Sequence, residues 1–297
     1  MATQQLSRRL RRGRPVNLHA IQTGEVQIKS RHVQARFHPR AARVADILAD
    51  RHWSPRLPIL CFAIEHPEGA IVVDAGESSH ANDPGYQPRW HPFVRTSERR
   101  WVTQEQEVGP QLRALGIDPG AVRWLVMTHM HGDHAGGLSH FPNAEVVVSA
   151  REASMALSRT GPMNGYLNRH YPSWLDPRRV EFESDPWEVF DASVPLTRDG
   201  AVRLVPTAGH TKGHVSVVVE RSDHLVLLTG DAAYSERALF AGVVDGAAQD
   251  DRAHRRSTAL LRELCERHRV VVAPSHDPES SRRLAESAVT VGSRGDR

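Results

Sequence analysis

The segment Thr128-His129-Met130-His131-Gly132-Asp133-His134 sets three histidines and an aspartate within six residues. Imidazole is the commonest side-chain metal ligand and a usual acid–base group. Four ligand-type side chains on one short loop, directly behind the apolar run Trp124-Leu125-Val126-Met127, point to metal chemistry. The other candidate ligands repeat this placement. His210 follows the run Val202 to Val205, Asp231 follows 225-LVLLTG, and His276 follows 270-VVVAPS.

In α/β sheets, sites assemble at the rim where strands end. Four such loops on one rim would gather His129, His131, Asp133, His134, His210, Asp231 and His276. One zinc takes about four ligands, so seven suit two ions sharing one carboxylate and a bridging water. Buried without metal, these groups would be left partly unpaired, at roughly 1–3 kcal/mol each. His214, behind Gly213, reads as a structural histidine sooner than as a donor that supports the ligands from behind.

These loops need strands to hold them. Short β-rich runs recur as 59-ILCFAIE, 70-AIVVDAG, 123-RWLVMTH, 145-EVVVSA, 201-AVRLVPTAGH, 215-VSVVVE, 224-HLVLLTGD and 270-VVVAPSHD. Several are continuously apolar, as expected of strands buried on both faces. Helical periodicity lies between them. Val108, Leu112 and Leu115 share a face in residues 103–116, with Thr103 as a start and Gly116 as a stop. Leu260, Leu261, Leu264 and His268 do the same in residues 252–268. Interleaved strands and helices predict an α/β fold. Residues 77–101 and 159–190 break the pattern. They are rich in proline and aromatics, and are expected either to line or cover a binding cleft or to be ordered loops that their aromatics pin to the surface.

The 297 residues suffice for a full core, with a formal net charge of +3. That balance is too diffuse to argue for a nucleic-acid partner. No apolar run approaches the ~20 residues of a membrane helix. The Arg-rich residues 1–15 have no apolar stretch behind them. They read as a disordered basic arm rather than a secretory signal, with residues 16–297 as one domain. Cys61 and Cys265 lie in apolar contexts without CxxC spacing, which fits buried thiols and a cytoplasmic location.

The series HMHGDH, AGH, GDA and SHD, in this order, resembles the metallo-β-lactamase superfamily, and the resemblance covers nearly the whole chain after the arm. It implies a four-layer αβ/βα sandwich built from two similar halves. It also implies a site for two Zn2+ ions. By that match His129, His131 and His210 hold the first ion, Asp133, His134 and His276 the second, and Asp231 bridges. Asp74, after Ile71-Val72-Val73, matches a structural aspartate of the family. Both His129 and His131 are present, whereas the oxygen-reducing diiron members carry a carboxylate in that motif; a zinc hydrolase is implied.

Tyr234 follows Asp231 by three residues, and 240-FAG and 276-HD come after it. This arrangement is similar to the quorum-quenching N-acyl-homoserine lactonase branch. The implied substrate is a small-molecule lactone. Tyr234 would donate to the developing oxyanion, and Asp133 would pass a proton to the leaving ring oxygen. Gly132 departs from that branch, where a bulky residue is common, and residues 77–101 are longer than expected. The runner-up is another hydrolase on the same skeleton, such as a thioesterase, a β-lactamase or an organophosphate hydrolase. A nucleic-acid-processing member or a non-catalytic scaffold is further off, since only the arm is strongly basic and no ligand is missing. Either a monomer or a homodimer fits the sequence.

Overall fold

The computed structural model describes residues 16–36, 39–88 and 90–290, so the basic arm lies outside the described residues. All eight strands expected from the sequence form, and four more join them. In chain order they are β1 (Asn17–Ile28), β2 (Leu57–Glu65), β3 (Ile71–Val73), β4 (Glu98–Trp101), β5 (Trp124–Val126), β6 (Glu145–Ser149), β7 (Arg178–Val180), β8 (Val194–Pro195), β9 (Val202–Pro206), β10 (Val215–Glu220), β11 (Leu225–Gly230) and β12 (Val270–Pro274). One sheet has the order β4-β1-β2-β3-β5-β6-β7 and the other β12-β11-β10-β9-β8.

Side-chain alternation assigns the faces. In β2, Phe62 and Ile64 enter the layer between the sheets, while Cys61 and Ala63 face the opposite way. In β12, Val271 and Ala273 point inward and Val270 and Val272 outward. The inner layer joins Phe62, Val73 and Val126 to Leu204, Val217, Leu228 and Val271. Outside the first sheet, Leu112 and Ala153 belong to helices packed on it; outside the second, Leu261, Leu264 and Cys265 come from the helix Asp251–Arg267. The layers therefore run helix, sheet, sheet, helix, as the resemblance implies. Both cysteines are buried and free.

The helix expected over 103–116 is shorter. A 3-10 turn occupies Gln104–Gln106 and the helix proper runs Val108–Ala114. Pro110 has no N–H to donate to Gln106, so a regular helix begins within one turn of it. Thr103 starts the 3-10 turn rather than the helix, its N–H donating to Gln106 Oε1 at 2.9 Å, whereas Gly116 turns left-handed at φ 79° where the stop was expected. The two aromatic-rich segments are more ordered than their composition suggests. The first contributes the helix Pro92–Ser97 and β4, and the second contributes β7.

Parallel pairing sets the rim. β3 lies parallel to β5, and β11 parallel to β12; β9 and β11 each run antiparallel to β10, so they share a direction. The loops leaving β3, β5, β9, β11 and β12 thus leave in register at one edge of the sandwich.

Candidate metal centre

The seven sequence-selected side chains converge on that edge. Among the described residues, one group of ligand atoms within 4.8 Å of one another comprises His129, His131 and His210, and a second comprises Asp133, His134 and His276. Asp231 stands between them. Its Oδ1 is 3.3 Å from both His134 Nε2 and His276 Nε2, while its Oδ2 is 3.6 Å from His210 Nε2. Asp133 Oδ2 approaches His276 Nε2 at 3.5 Å, and His131 Nδ1 lies 3.1 Å from His210 Nε2.

Each histidine has one nitrogen tied outward and the other facing the centre. His129 Nδ1 is 3.2 Å from Thr128 Oγ1, and His131 Nε2 is 3.0 Å from the Asn164 carbonyl. His134 Nδ1 meets Asp74 Oδ2 at 2.8 Å, and His210 Nδ1 meets Asp245 Oδ2 at 3.2 Å. His276 Nδ1 donates to the Pro58 carbonyl at 2.8 Å. Outward partners of this kind fix the tautomer and orientation of metal-binding imidazoles. The inward atoms His129 Nε2, His134 Nε2 and Asp231 Oδ1 are buried without hydrogen-bond partners.

That arrangement fits a divalent cation. Crowded lone pairs repel one another unless a positive charge sits between them. Imidazole and carboxylate donors accept zinc, manganese, cobalt or iron. The electrostatics agree. Burial alone would lower His134 and His276, yet Asp231 and its neighbouring carboxylates raise both above the usual histidine value. Burial and the neighbouring imidazoles push His129 well down, and His131 to about 3, so both rings are uncharged at neutral pH, each with one N–H and one free lone pair.

Local sequence explains the placement. Asp74 takes the left-handed conformation, φ 61°, directly after β3. From there its Oδ1 accepts the Thr128 N–H at 2.7 Å and its Oδ2 the Thr128 hydroxyl at 2.8 Å, which locks the motif loop to the end of β3. Gly230, at φ 54°, precedes Asp231; a Cβ there would stand 2.8 Å from His214 Nε2. That close approach lets His214 Nε2 accept the Asp231 N–H at 3.0 Å, so His214 positions the shared carboxylate.

Two residues of this framework were not singled out from sequence. Glu152 is fully buried; it accepts the Met130 N–H at 3.0 Å and the Thr211 hydroxyl at 2.7 Å, tying the first motif to the His210 loop. Asp245 holds His210 and lies 3.4 Å from His254 Nε2. Asp245 follows no strand end, and Glu152, three residues after β6, lies inside a helix rather than on a loop, so the pattern that exposed the candidate ligands passed over both. One signal was present for Glu152, an acidic side chain in the first turn of an Ser149-capped helix. A third group, His66, Glu68 and Asp199, differs in kind. His66 Nδ1 accepts the Glu68 N–H at 3.2 Å and Nε2 meets Asp199 at 3.1 Å, so no lone pair is left over.

A cavity of about 280 Å³ opens beside the centre and reaches His131, Asp133, His210, Asp231 and His276. Tyr234 lines it and is 7% exposed, with ring centroids 6.2 Å from His210 and 5.5 Å from His276. Burial, with Asp245 and Asp231 nearby, holds its phenol well above the usual tyrosine value. Gly132 also lines the cavity, and an added Cβ would meet Leu167 Cδ1 at 3.0 Å. The expected aromatic wall is different in detail. Phe93 comes from the first aromatic-rich segment, but the second supplies Met163 and Leu167, and Tyr166 is buried in the core. Trp90 and Trp174 stand exposed outside the lining, because the helix Pro92–Ser97 presents Phe93 and Val94 instead.

The metallo-beta-lactamase superfamily model matches residues 54–276. N-acyl homoserine lactonase AttM of Azorhizobium caulinodans is 32% identical over 245 residues, 75% of this chain and 83% of that protein. N-acyl homoserine lactonase AiiA of Bacillus thuringiensis subsp. kurstaki is 30% identical over 229 residues, 76% and 84% of the two chains. A solved N-acyl homoserine lactone hydrolase, with the product N-hexanoyl-L-homoserine bound at its catalytic metal center, matches with a TM-score of 0.71 at 25% identity, over 89% of this chain and 94% of that one. With the fold, the rim and these matches in agreement, the chain belongs to the metallo-beta-lactamase superfamily.

Proposed function

We propose that this hydrolase opens lactone rings, with N-acyl homoserine lactones as its substrates and two divalent metal ions, zinc by preference, at the rim. His129, His131 and His210 would hold one ion, Asp133, His134 and His276 the other, and Asp231 both. Two such ions would supply hydroxide near neutral pH and polarise the carbonyl.

The observation that carries the reading is Tyr234, packed against a histidine of each ligand group and facing the cavity. Its phenol stays protonated, so it can donate to a carbonyl oxygen as charge builds there. Asp133, an ionised carboxylate on the cavity wall beside His276, would take up the proton of the attacking hydroxyl and pass it to the departing ring oxygen. The wall suits a neutral substrate. Arg100 lines it but is already paired, its Nε 2.8 Å from Glu77 Oε2 and its Nη2 on Glu98. A thioester or phosphodiester with anionic groups would find that cation taken.

The test is a panel of lactones, thioesters, phosphodiesters and a chromogenic β-lactam, with the released acid followed in a pH-stat. Lactones are expected to lead by at least tenfold in kcat/KM. Faster turnover of any other class would overturn the reading.

A further inference from the structure

The cavity carries polar side chains that neither the ligand set nor the proposed reaction uses. His32 lines it, is 6% exposed, and its Nδ1 has no hydrogen-bond partner. Its ring meets Phe93 edge-on at 5.3 Å and Tyr234 at 6.1 Å. Gln87 and Gln249 line the same cavity, and the amide nitrogen and oxygen of Gln87 are buried without partners, while the Gln249 amide faces the Tyr166 hydroxyl. Around them the lining is apolar, with Val26, Ile28 and Val94.

Unpaired polar atoms are costly in a protein interior, and several in one cavity call for a ligand or water to satisfy them. Burial lowers the pKa of His32, so at neutral pH it is an uncharged ring with one donor and one acceptor. Arg100 is committed to Glu77 and Glu98, while Arg40 makes one hydrogen bond to Asn164 Oδ1 at 3.1 Å. What the lining next to His32 adds is neutral hydrogen bonding among apolar side chains.

We infer that His32 is a specificity residue that hydrogen-bonds an uncharged oxygen on the acyl chain, so that the preferred lactone carries an oxo or hydroxyl group on that chain. The inference rests on the lactonase reading. The contact between His32 and Tyr234 sets the position. Tyr234 serves the reacting carbonyl, so a group bound by the adjacent imidazole lies near the ring end of the substrate rather than at the tail. A plain alkyl chain would leave the His32 ring without a hydrogen-bond partner. A chain with an oxygen there restores the bond, and sites built around such a bond discriminate against the analogue that lacks it.

The experiment compares N-octanoyl and N-(3-oxooctanoyl) homoserine lactone on the zinc-loaded full chain. The wild type should favour the oxo substrate by roughly tenfold or more in kcat/KM, mainly through KM. His32→Leu should bring the ratio close to one, and His32→Gln, which keeps a donor and an acceptor, should retain an intermediate ratio. The Tm of His32→Leu should not fall, because no partner is left behind. Equal kcat/KM for the two substrates on the wild type would overturn the inference. So would a His32→Leu variant that loses the same factor on both with a lowered Tm, which would mark a packing residue. Turnover of neither lactone by the fully loaded wild type would instead overturn the reading of the reaction on which the inference rests.

Discussion

His134 Nδ1 lies 2.8 Å from Asp74 Oδ2, with both side chains sealed from solvent. Asp74 does this from a left-handed backbone that asparagine tolerates and alanine does not favour. Asp74→Asn should keep the fold and weaken metal binding by about 10–100-fold, the usual cost of losing an outer-shell carboxylate. Asp74→Ala should also lower stability by about 1–3 kcal/mol, since the Thr128 N–H loses its acceptor. Chelator competition and Tm of the metal-free variants read the two effects separately.

Asp231 faces both ligand groups, so Asp231→Asn should lower metal content at both sites together. His210→Ala should empty mainly the group that contains it. Elemental analysis after zinc reconstitution is expected to give two ions per wild-type chain. A wild-type value that stayed near zero would refute the metal centre.

Tyr234→Phe should leave metal content unchanged and lower kcat, by about 1–3 kcal/mol in transition-state stabilisation. Because burial holds the phenol above its ordinary value, the wild-type rate should show no tyrosine deprotonation below pH 10. Wild-type kcat and KM in Tyr234→Phe would remove the phenol from the mechanism.

The pairing of His210 with Asp245 makes a prediction about pH. Burial alone would lower His210, but Asp245 and Asp231 lift it from 6.5 to about 9. In the metal-free protein this raised value stabilises the fold fully below pH 6.5, and that contribution is lost as pH rises through about 9. His134 and His276 are also raised and act in the same sense. His129 and His131, lowered by burial, are neutral in the folded chain and lose their protons in the unfolded chain around pH 6.5, so above about pH 7.5 they add almost no slope. The Tm of the EDTA-treated protein should therefore fall between pH 6.5 and about 9, while zinc affinity rises because fewer protons must leave. Flat profiles in both measurements would contradict the pairing.

The candidate ligands were legible because each lies on a loop behind a buried strand, and a polar side chain there has few purposes. The supporting residues were hidden for the opposite reason. Asp245 sits on an irregular loop, and only the fold brings it to His210, 35 residues away. β1 went unread because its burial is uneven and its register breaks between Gln22 and Glu25, so neither period is clean. β4 was masked by its charge: Glu98, Arg99 and Arg100 look like a solvated run, yet Glu98 and Arg100 are largely buried by pairing with each other and with Glu77. Composition marks residues 77–101 and 159–190 as aromatic-rich but does not say which way a side chain points, and Trp90 and Trp174 stand outside the cavity.

Each ligand group draws on both sheets. His129 and His131 leave the first sheet and meet His210 from the second; Asp133 and His134 leave the first and meet His276 from the second. Neither half of the sandwich owns a complete set. Ion capture is thereby coupled to the docking of the two sheets, and a bound ion acts as a rivet across their seam. Hydrogen exchange should register its removal as faster opening of the loops along that seam, while the strand interiors, sealed by their own apolar layer, stay protected.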